Sequence, residues 1–380
     1  MQVGVGSGTM KFSLDRTPFL RALARVHRVV ERRNTIPILA NVLLDAADGT
    51  LRMKATDLDL EASEALPAMV EQAGATTVPA HMLYDIVRKL PDGSQVDVEL
   101  RGSTTLMVQA GRARFELQAL PKSDFPDLTA GQFSHVFQTA SGDLRRLIER
   151  TQFAISTEET RYYLNGIYLH TLEVDGSLKL RAVATDGHRL AKTETDAPQG
   201  SEGMPGVIVP RKTVGELLKL LEGDDGEASV ELSDTKIRVT IGEVVLTSKL
   251  IDGTFPDYAR VIPQANDKVL DVERPAFSAA VDRVSTVASE RGRAVKLAMG
   301  DGRLTLTVTN PDSGSATEEL MVDYAGEPLD IGFNARYLMD IAGQLETDNA
   351  RFKLADAGAP TLIQDADGSD TLYVLMPMRV

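Results

Sequence analysis

The chain runs to 380 residues, 43% of them hydrophobic, with 41 Lys and Arg against 55 Asp and Glu for a net charge of −14; this is the balance of a globular protein long enough for two or three domains. It has no cysteine and five scattered histidines, which excludes disulfides, thiolate metal sites and cysteine nucleophiles, offers no zinc-ligand spacing, and suits a reducing cytosol. No apolar run reaches the roughly 18 residues of a membrane span, and the acidic total argues against nucleic acid unless charge is segregated along the chain.

Residues 1–9 are Gly-rich, without the basic and apolar stretches of a signal peptide, and read as a disordered leader or as an upstream start before a natural one at Met10. Met10-Lys-Phe12 opens the first strand pattern. A helix follows over Phe19–Val30, with Leu20, Leu23, Ala24, Val26 and Val30 at helical spacing. Next come a strand and turn at Leu51–Asp57, a strand at Thr77–Ala80 leading into a helix at Met82–Leu90, an alternating strand at Val96–Leu100, and a closing Phe125-Pro-Asp127.

Turn residues cluster near Thr129–Ser134, and the same order begins again. It runs through a helix at Leu144–Phe153, Leu180–Asp186, Ile208–Arg211 before a helix at Val214–Leu221, a strand at Ile237–Ile241, and Phe255-Pro-Asp257. After a second break near Pro263–Asp267 it recurs as Phe277–Val287, Leu304–Asn310, Gly332–Ala335 before Tyr337–Leu345, and Leu375-Met-Pro377. Asp57, Asp186 and Asn310 are 129 and 124 residues apart; Pro79, Pro210 and Asn334 are 131 and 124 apart. Unrelated signals sharing one spacing mean repetition. The expected fold is α+β: three tandem domains over 10–133, 134–266 and 267–380, each with two helices packed on antiparallel strands and divisible into two similar halves.

Charge follows the same division. The segments Thr17–Arg33, His81–Leu90, Gly142–Gln152, Arg211–Glu222, Arg274–Thr286 and Ala335–Leu345 carry sixteen basic and eight acidic residues, a net +8 that leaves −22 on the remainder. Lys and Arg are good helix formers, which is one explanation. Arg21, Arg25, Arg28 and Arg32, however, recur three or four apart and draw a single stripe. If the copies share an orientation, a positive helical surface opposes an acidic strand surface, an arrangement suited to duplex phosphates without sequence preference. Few aromatics apart from Tyr162 and Tyr163 accompany these cations, so stacking on single strands is not expected.

Asp186-Gly-His-Arg189 is the segment most like catalytic chemistry, since Asp and His two residues apart could form a general-base pair. Its copy-one counterpart reads Asp57-Leu-Asp-Leu60, which favours a β-turn. There is no phosphate-binding loop of the GxxxxGK[ST] type, hence no ATPase. Arg161–Gly166 reads as a strand start and turn, and Met376-Pro-Met378 as a strand end whose flexible thioethers suit a permissive pocket.

The runs Asn41–Leu44, Ala55–Asp57, Ala75–Ala80, Arg161–Gly166, Val183–Leu190, Val207–Lys212, Thr254–Tyr258, Ile331–Asn334 and Tyr373–Arg379 together resemble the β sliding clamp family of bacterial DNA polymerase III, from Met10 to Val380. The resemblance implies three copies of a clamp domain per chain and two chains joined head-to-tail as a homodimeric ring around double-stranded DNA. Such a ring is a non-catalytic processivity factor without cofactor or metal. It tethers replicative DNA polymerase subunits and is opened by a clamp loader that uses its own ATP. Repair polymerases, mismatch repair proteins and ligase are further implied partners, in a cytoplasmic, nucleoid-associated setting.

By the same resemblance, partners insert a short peptide, a Gln followed by Leu and aromatic residues, between the second and third domains. One part of that pocket is Leu164, Thr185, Gly187, His188, Arg189, Leu190, Pro256 and Val261. The other is Arg161, Tyr163, Asn334, Tyr337, Val374, Met376, Pro377, Met378 and Arg379. Implied DNA contacts are Arg33, Arg88, Tyr162, Tyr163, Arg211 and Lys212. The implied ring junction sets Phe115 and Leu117 on an edge strand against Thr286 and Val287, with Arg112 and Arg114 pairing Glu318 and Glu319. Gly292, Gly358, Pro360 and Thr286 depart from the family pattern. Two rival readings remain: a hydrolase using Asp186 and His188, and a non-replicative acidic interaction scaffold.

Overall fold

The computed structural model describes residues 9–128, 131–289 and 293–380; the leader up to Gly8, Thr129 and Ala130 of the first break, and Gly292 with its two predecessors lie outside the described residues. Six α-helices occur among the described residues: α1 Arg16–Val26, α2 Ala80–Lys89, α3 Ser141–Glu149, α4 Arg211–Leu221, α5 Arg274–Ser285 and α6 Ala335–Ala342. All six follow directly on a strand. Helix starts leave amides without an intrahelical partner, and here a neighbouring loop supplies one: Arg16 N donates to Ser94 O at 2.8 Å, Ser141 N to Gly226 O at 2.9 Å, and Arg274 N to Asp348 O at 2.7 Å. These are equivalent bonds in the three copies. The expected stripe on α1 needs correction. The helix buries Phe19, Ala22, Leu23 and Val26, whereas Leu20 and Ala24 are only half-buried.

A further repeat lies in the turns. Asp48-Gly49, Asp175-Gly176 and Asp301-Gly302 all take positive φ at both residues, between +49° and +79°. Each links two strands at the tightest register, Ala47 opposite Thr50, Val174 opposite Ser177 and Gly300 opposite Arg303. Two-residue hairpins of this hand match the right-handed strand twist, and Asp-Gly is the pair that tolerates the backbone they need.

The chain forms two compact units: residues up to Leu144 together with Gly215–Leu250, and Arg145–Val214 together with Ile251–Val380. In the first, a five-stranded antiparallel sheet has the order Met69–Gln72, Thr9–Asp15, Gln95–Arg101, Thr105–Ala110, Ala113–Gln118. Its eight-stranded sheet joins two copies, because Val244–Lys249 pairs antiparallel with Leu60–Pro67, Val244 opposite Glu64 and Ser248 opposite Leu60. Phe12, Phe19, Leu23, Leu44, Met53, Val78, Leu83 and Val98 fill the core between sheets and helices.

In the second unit, a nine-stranded antiparallel sheet is likewise continuous across a copy boundary: Arg189–Asp196 pairs with Leu372–Leu375, Leu190 opposite Val374. The four-stranded sheet runs Gly314–Met321, Arg303–Asn310, Ala294–Gly300, Leu329–Asn334. Phe277 packs edge-on against Phe352 in the core under α5, ring centres 5.2 Å apart. The middle copy is thus divided between the packing units, each half sharing a sheet with the copy next to it.

Candidate functional site

Asp186–Arg189 is a turn. Asp186 Oδ1 accepts from His188 N at 2.9 Å and Arg189 N at 3.1 Å, and Thr185 Oγ1 donates to Arg189 O at 2.7 Å. Copy one repeats this bond for bond: Asp57 Oδ1 accepts from Asp59 N and Leu60 N, and Thr56 Oγ1 donates to Leu60 O. The other Asp186 oxygen accepts from Arg189 Nε at 3.1 Å. Both oxygens are therefore engaged away from the His188 ring, which is exposed and has Tyr337 as its ring neighbour at 6.3 Å. This geometry speaks against an Asp–His general base.

Beside the turn lies a cavity of about 270 Å³, lined by Arg161, Tyr163, Leu164, Thr185, Gly187, Arg189, Leu190, Pro256, Asp257, Tyr258, Val261, Val374 and Met376. Leu190 and Val374 are cross-strand neighbours at the point where the nine-stranded sheet joins two copies. Gly187, at φ +88°, opens the mouth; a Cβ there would stand 2.7 Å from Arg161 Nη1. Apolar Leu164, Leu190, Pro256, Val261, Val374 and Met376 give the hollow its character, with Val261 half exposed at 50%. Apolar walls with a few polar groups at the rim suit capture of hydrophobic side chains.

Arg189 is built into this site rather than offered to a ligand. Its Nη1 donates to Asp340 Oδ2 at 2.6 Å and its Nη2 to Phe153 O at 2.8 Å, while the guanidinium lies 4.2 Å over the Tyr337 ring and 5.0 Å over Phe153. Arg161 is exposed, 3.4 Å from Glu158.

The remaining expected residues gather next to the cavity without lining it. Asn334 caps α6, accepting from Arg336 N and Tyr337 N, and Tyr337 reaches the cavity only through Arg189. Past Met376 the chain passes Pro377, and Met378 N donates to Gly332 O at 2.7 Å, leaving the Met378 and Arg379 side chains exposed. Gly358 N is held by Asp356 Oδ1, and Pro360 O accepts from Asn266 Nδ2 at 2.8 Å.

Two lining residues lie outside the expected set, Asp257 and Tyr258, although the Thr254-Phe-Pro-Asp-Tyr258 run contains both. The Tyr258 hydroxyl points beneath the cavity, 2.9 Å from His170 Nε2 and 3.0 Å from Arg181 Nη1. Arg181 in turn pairs with buried Glu194 at 2.6 Å. Burial, with Arg181 adding to it, pushes the His170 pKa down to about 4.

The basic residues divide into two groups. On α1, Arg25 Nε donates to Glu64 Oε2 at 2.9 Å, and in the 3-10 turn His27–Val29 that follows it, Arg28 Nε donates to Glu216 Oε2 at 2.9 Å, both carboxylates being almost fully buried. The stripe is therefore half neutralised; Arg21 and Arg32 are its exposed members, and the neighbouring Arg33 is exposed as well. On α2, Arg88 lies 5.8 Å from the Tyr84 ring centre and 3.1 Å from Asp85. In the second unit, Arg211 N donates to Asn165 O at 2.9 Å, which brings the exposed start of α4, followed by Lys212, beside Tyr162 and Tyr163. Tyr162 is 54% exposed.

Within the single chain, the implied junction residues have the following surroundings. Ala113–Gln118 and Gly314–Met321 each lie at one edge of a sheet. Leu117, however, is only 4% exposed and belongs to the core, so Phe115 alone of that pair has apolar surface left. Glu318 is already held by Arg283 of α5 through two bonds of 2.9 and 2.5 Å, Glu319 lies 3.8 Å from Arg303, and Arg114 is 3.3 Å from Glu116. Arg112 and Thr286 are exposed and Val287 half-buried.

Among the described residues no cluster of His, Asp and Glu could hold a metal ion, and no helix is long and apolar enough to cross a membrane.

Three family models match in succession: the DNA polymerase III beta subunit N-terminal domain over residues 10–129, its central domain over 138–257 and its C-terminal domain over 259–379. The chain is 52% identical over 372 residues to the Beta sliding clamp of Caulobacter vibrioides (strain NA1000 / CB15N), and 41% identical over 373 residues to that of Escherichia coli (strain K12). Each alignment covers 98% of this chain and 100% of the relative. A crystal structure of a sliding clamp (DNA polymerase III subunit beta) from Bartonella birtlesii, 59% identical, matches with a TM-score of 0.96 over 98% of this chain and 100% of that one.

Proposed function

The chain belongs to the DNA polymerase III beta subunit family, and from that membership we propose how this sliding clamp works. It is a non-catalytic processivity subunit, and the observation that carries the reading is the match of all three clamp domains in order over nearly the whole chain. Neither the hydrolase nor the non-replicative scaffold reading accounts for that match.

Two chains close head-to-tail into a ring around duplex DNA, each contributing domains 10–133, 134–266 and 267–380. The free edges Ala113–Gln118 and Gly314–Met321 meet at the junction, with Phe115 against Thr286 and Val287. Head-to-tail contacts yield closed rings when the rotation permits. Arg33, Arg88, Tyr162, Tyr163, Arg211 and Lys212 touch phosphates without reading bases, so retention is topological and weakly dependent on sequence. The cavity around Leu190, Val261 and Val374 takes the apolar anchors of partner peptides, with Asn334, Tyr337, Met378 and Arg379 extending the binding surface. Those partners are replicative polymerase subunits, the clamp loader, repair polymerases, mismatch repair proteins and ligase, in the cytoplasm on the nucleoid.

The test is retention on DNA. Loaded onto nicked circular DNA, the protein stays bound through gel filtration; after a single linearising cut it runs off the ends. Equal retention on both forms overturns topological binding.

A further inference from the structure

The cavity wall formed by Pro256, Asp257, Tyr258 and Val261 belongs to no strand; it is a loop ending in a short 3-10 turn, Tyr258–Val261. Side chains hold it. The Phe255 ring stacks on Tyr168 at 4.9 Å and 11°, and Tyr168 stacks on His170 at 4.4 Å and 16°. Three residues further on, the Tyr258 hydroxyl meets His170 Nε2. Both anchors of the wall therefore converge on one imidazole, on strand Gly166–Val174, while His170 itself does not line the cavity.

We propose that His170 is a positioning residue for peptide capture: it holds Tyr258 directly and Phe255 through the intervening Tyr168 ring, so that the wall is preformed for a short peptide with apolar anchors. This rests on the peptide-pocket reading above. The proton arrangement follows from the partners. Arg181 can only donate to the Tyr258 oxygen, so the hydroxyl hydrogen is available for His170 Nε2. The reverse tautomer would leave both that hydrogen and His170 Nδ1 without partners, whereas this one leaves only the buried Nδ1–H unpaired. A neutral ring is required, and burial keeps it neutral at pH 7. A preformed wall spares the peptide the ordering of a loop on binding, which is a gain in affinity without a new contact.

The experiment is fluorescence anisotropy at pH 7 with a labelled short peptide carrying Gln, Leu and Phe anchors, alongside urea unfolding of every variant. His170→Leu is expected to weaken binding about tenfold, the order of one buried hydrogen bond, and His170→Gln, which keeps an acceptor, to recover most of that loss. Combined with Val261→Ala, His170→Leu should be less than additive, because both act through one wall. Should His170→Leu fail to fold, Tyr258→Phe removes only the hydroxyl and carries the same expectation. Wild-type affinity in His170→Leu or Tyr258→Phe, with binding lost in Leu190→Lys, overturns the proposal and spares the pocket. Strict additivity with Val261→Ala also overturns it. Binding unchanged in Leu190→Lys as well overturns the pocket reading itself.

Discussion

His170 and Arg189 show how the second unit spends its buried polar groups. All three guanidinium nitrogens of Arg189 have partners, on Asp186, Asp340 and the Phe153 carbonyl, so its work is to join the turn at Gly187 to α6. His170 is kept neutral by burial, its pKa falling from the ordinary 6.5 to about 4. Between those two values the unfolded chain binds a proton that the folded chain refuses. The stability this group allows is full above pH 6.5 and is lost as pH falls toward 4. The urea midpoint of the wild type should accordingly drop over that range more steeply than that of His170→Gln. Burial also lowers the His27 pKa and acts in the same direction in both proteins, so the difference between the two profiles isolates His170. Parallel profiles would refute the assignment.

At the scale of the element, comparing copies reveals where one is strained. The turn after Thr56 and the turn after Thr185 use the same hydrogen bonds, yet their second residue is Leu58 in one and Gly187 in the other, at φ +80° and +88°. A side chain in the left-handed region costs about 1–2 kcal/mol, and glycine does not bear that cost. Leu58 is 40% exposed, so little burial is forfeited on removing it. Leu58→Gly should therefore raise stability by up to about 1 kcal/mol after the extra freedom of the unfolded chain is counted, read as a higher urea midpoint. A fall in the midpoint would mean that the Leu58 side chain packs more productively than its exposure suggests. The Asp-Gly hairpins, by contrast, already have the residues their backbone demands.

At the scale of the whole molecule, the proposed ring closure would rest on sheet edges and the small surface around them. Thr286 is exposed after the end of α5, and Thr286→Arg places a bulky cation where the proposed junction needs apolar contact. Gel filtration should shift it from dimer toward monomer and retention on circular DNA should shorten, with the unfolding midpoint unchanged; an intact dimer would move the junction elsewhere. By itself the sequence determined the threefold period, the three strand-to-helix steps at Pro79, Pro210 and Asn334, and the turn at Asp186. Those features are written in Asp, Gly and Pro and in apolar periodicity within a few residues of one another, and copies can be compared directly. Most of the cavity lining was implied by the family resemblance, through the turn and the runs Arg161–Gly166, Thr254–Tyr258 and Tyr373–Arg379. Only the tertiary structure decided that Val244–Lys249 pairs with Leu60–Pro67 and Arg189–Asp196 with Leu372–Leu375, dividing the middle copy between two packing units. It alone set Glu64 on Arg25 and Glu216 on Arg28, which a count of helical charge misses, and made Tyr258 a wall held by His170. The physical reason is the same each time: pairing and burial join residues far apart in the chain, and no local pattern records which distant partner a strand edge or a charge will meet.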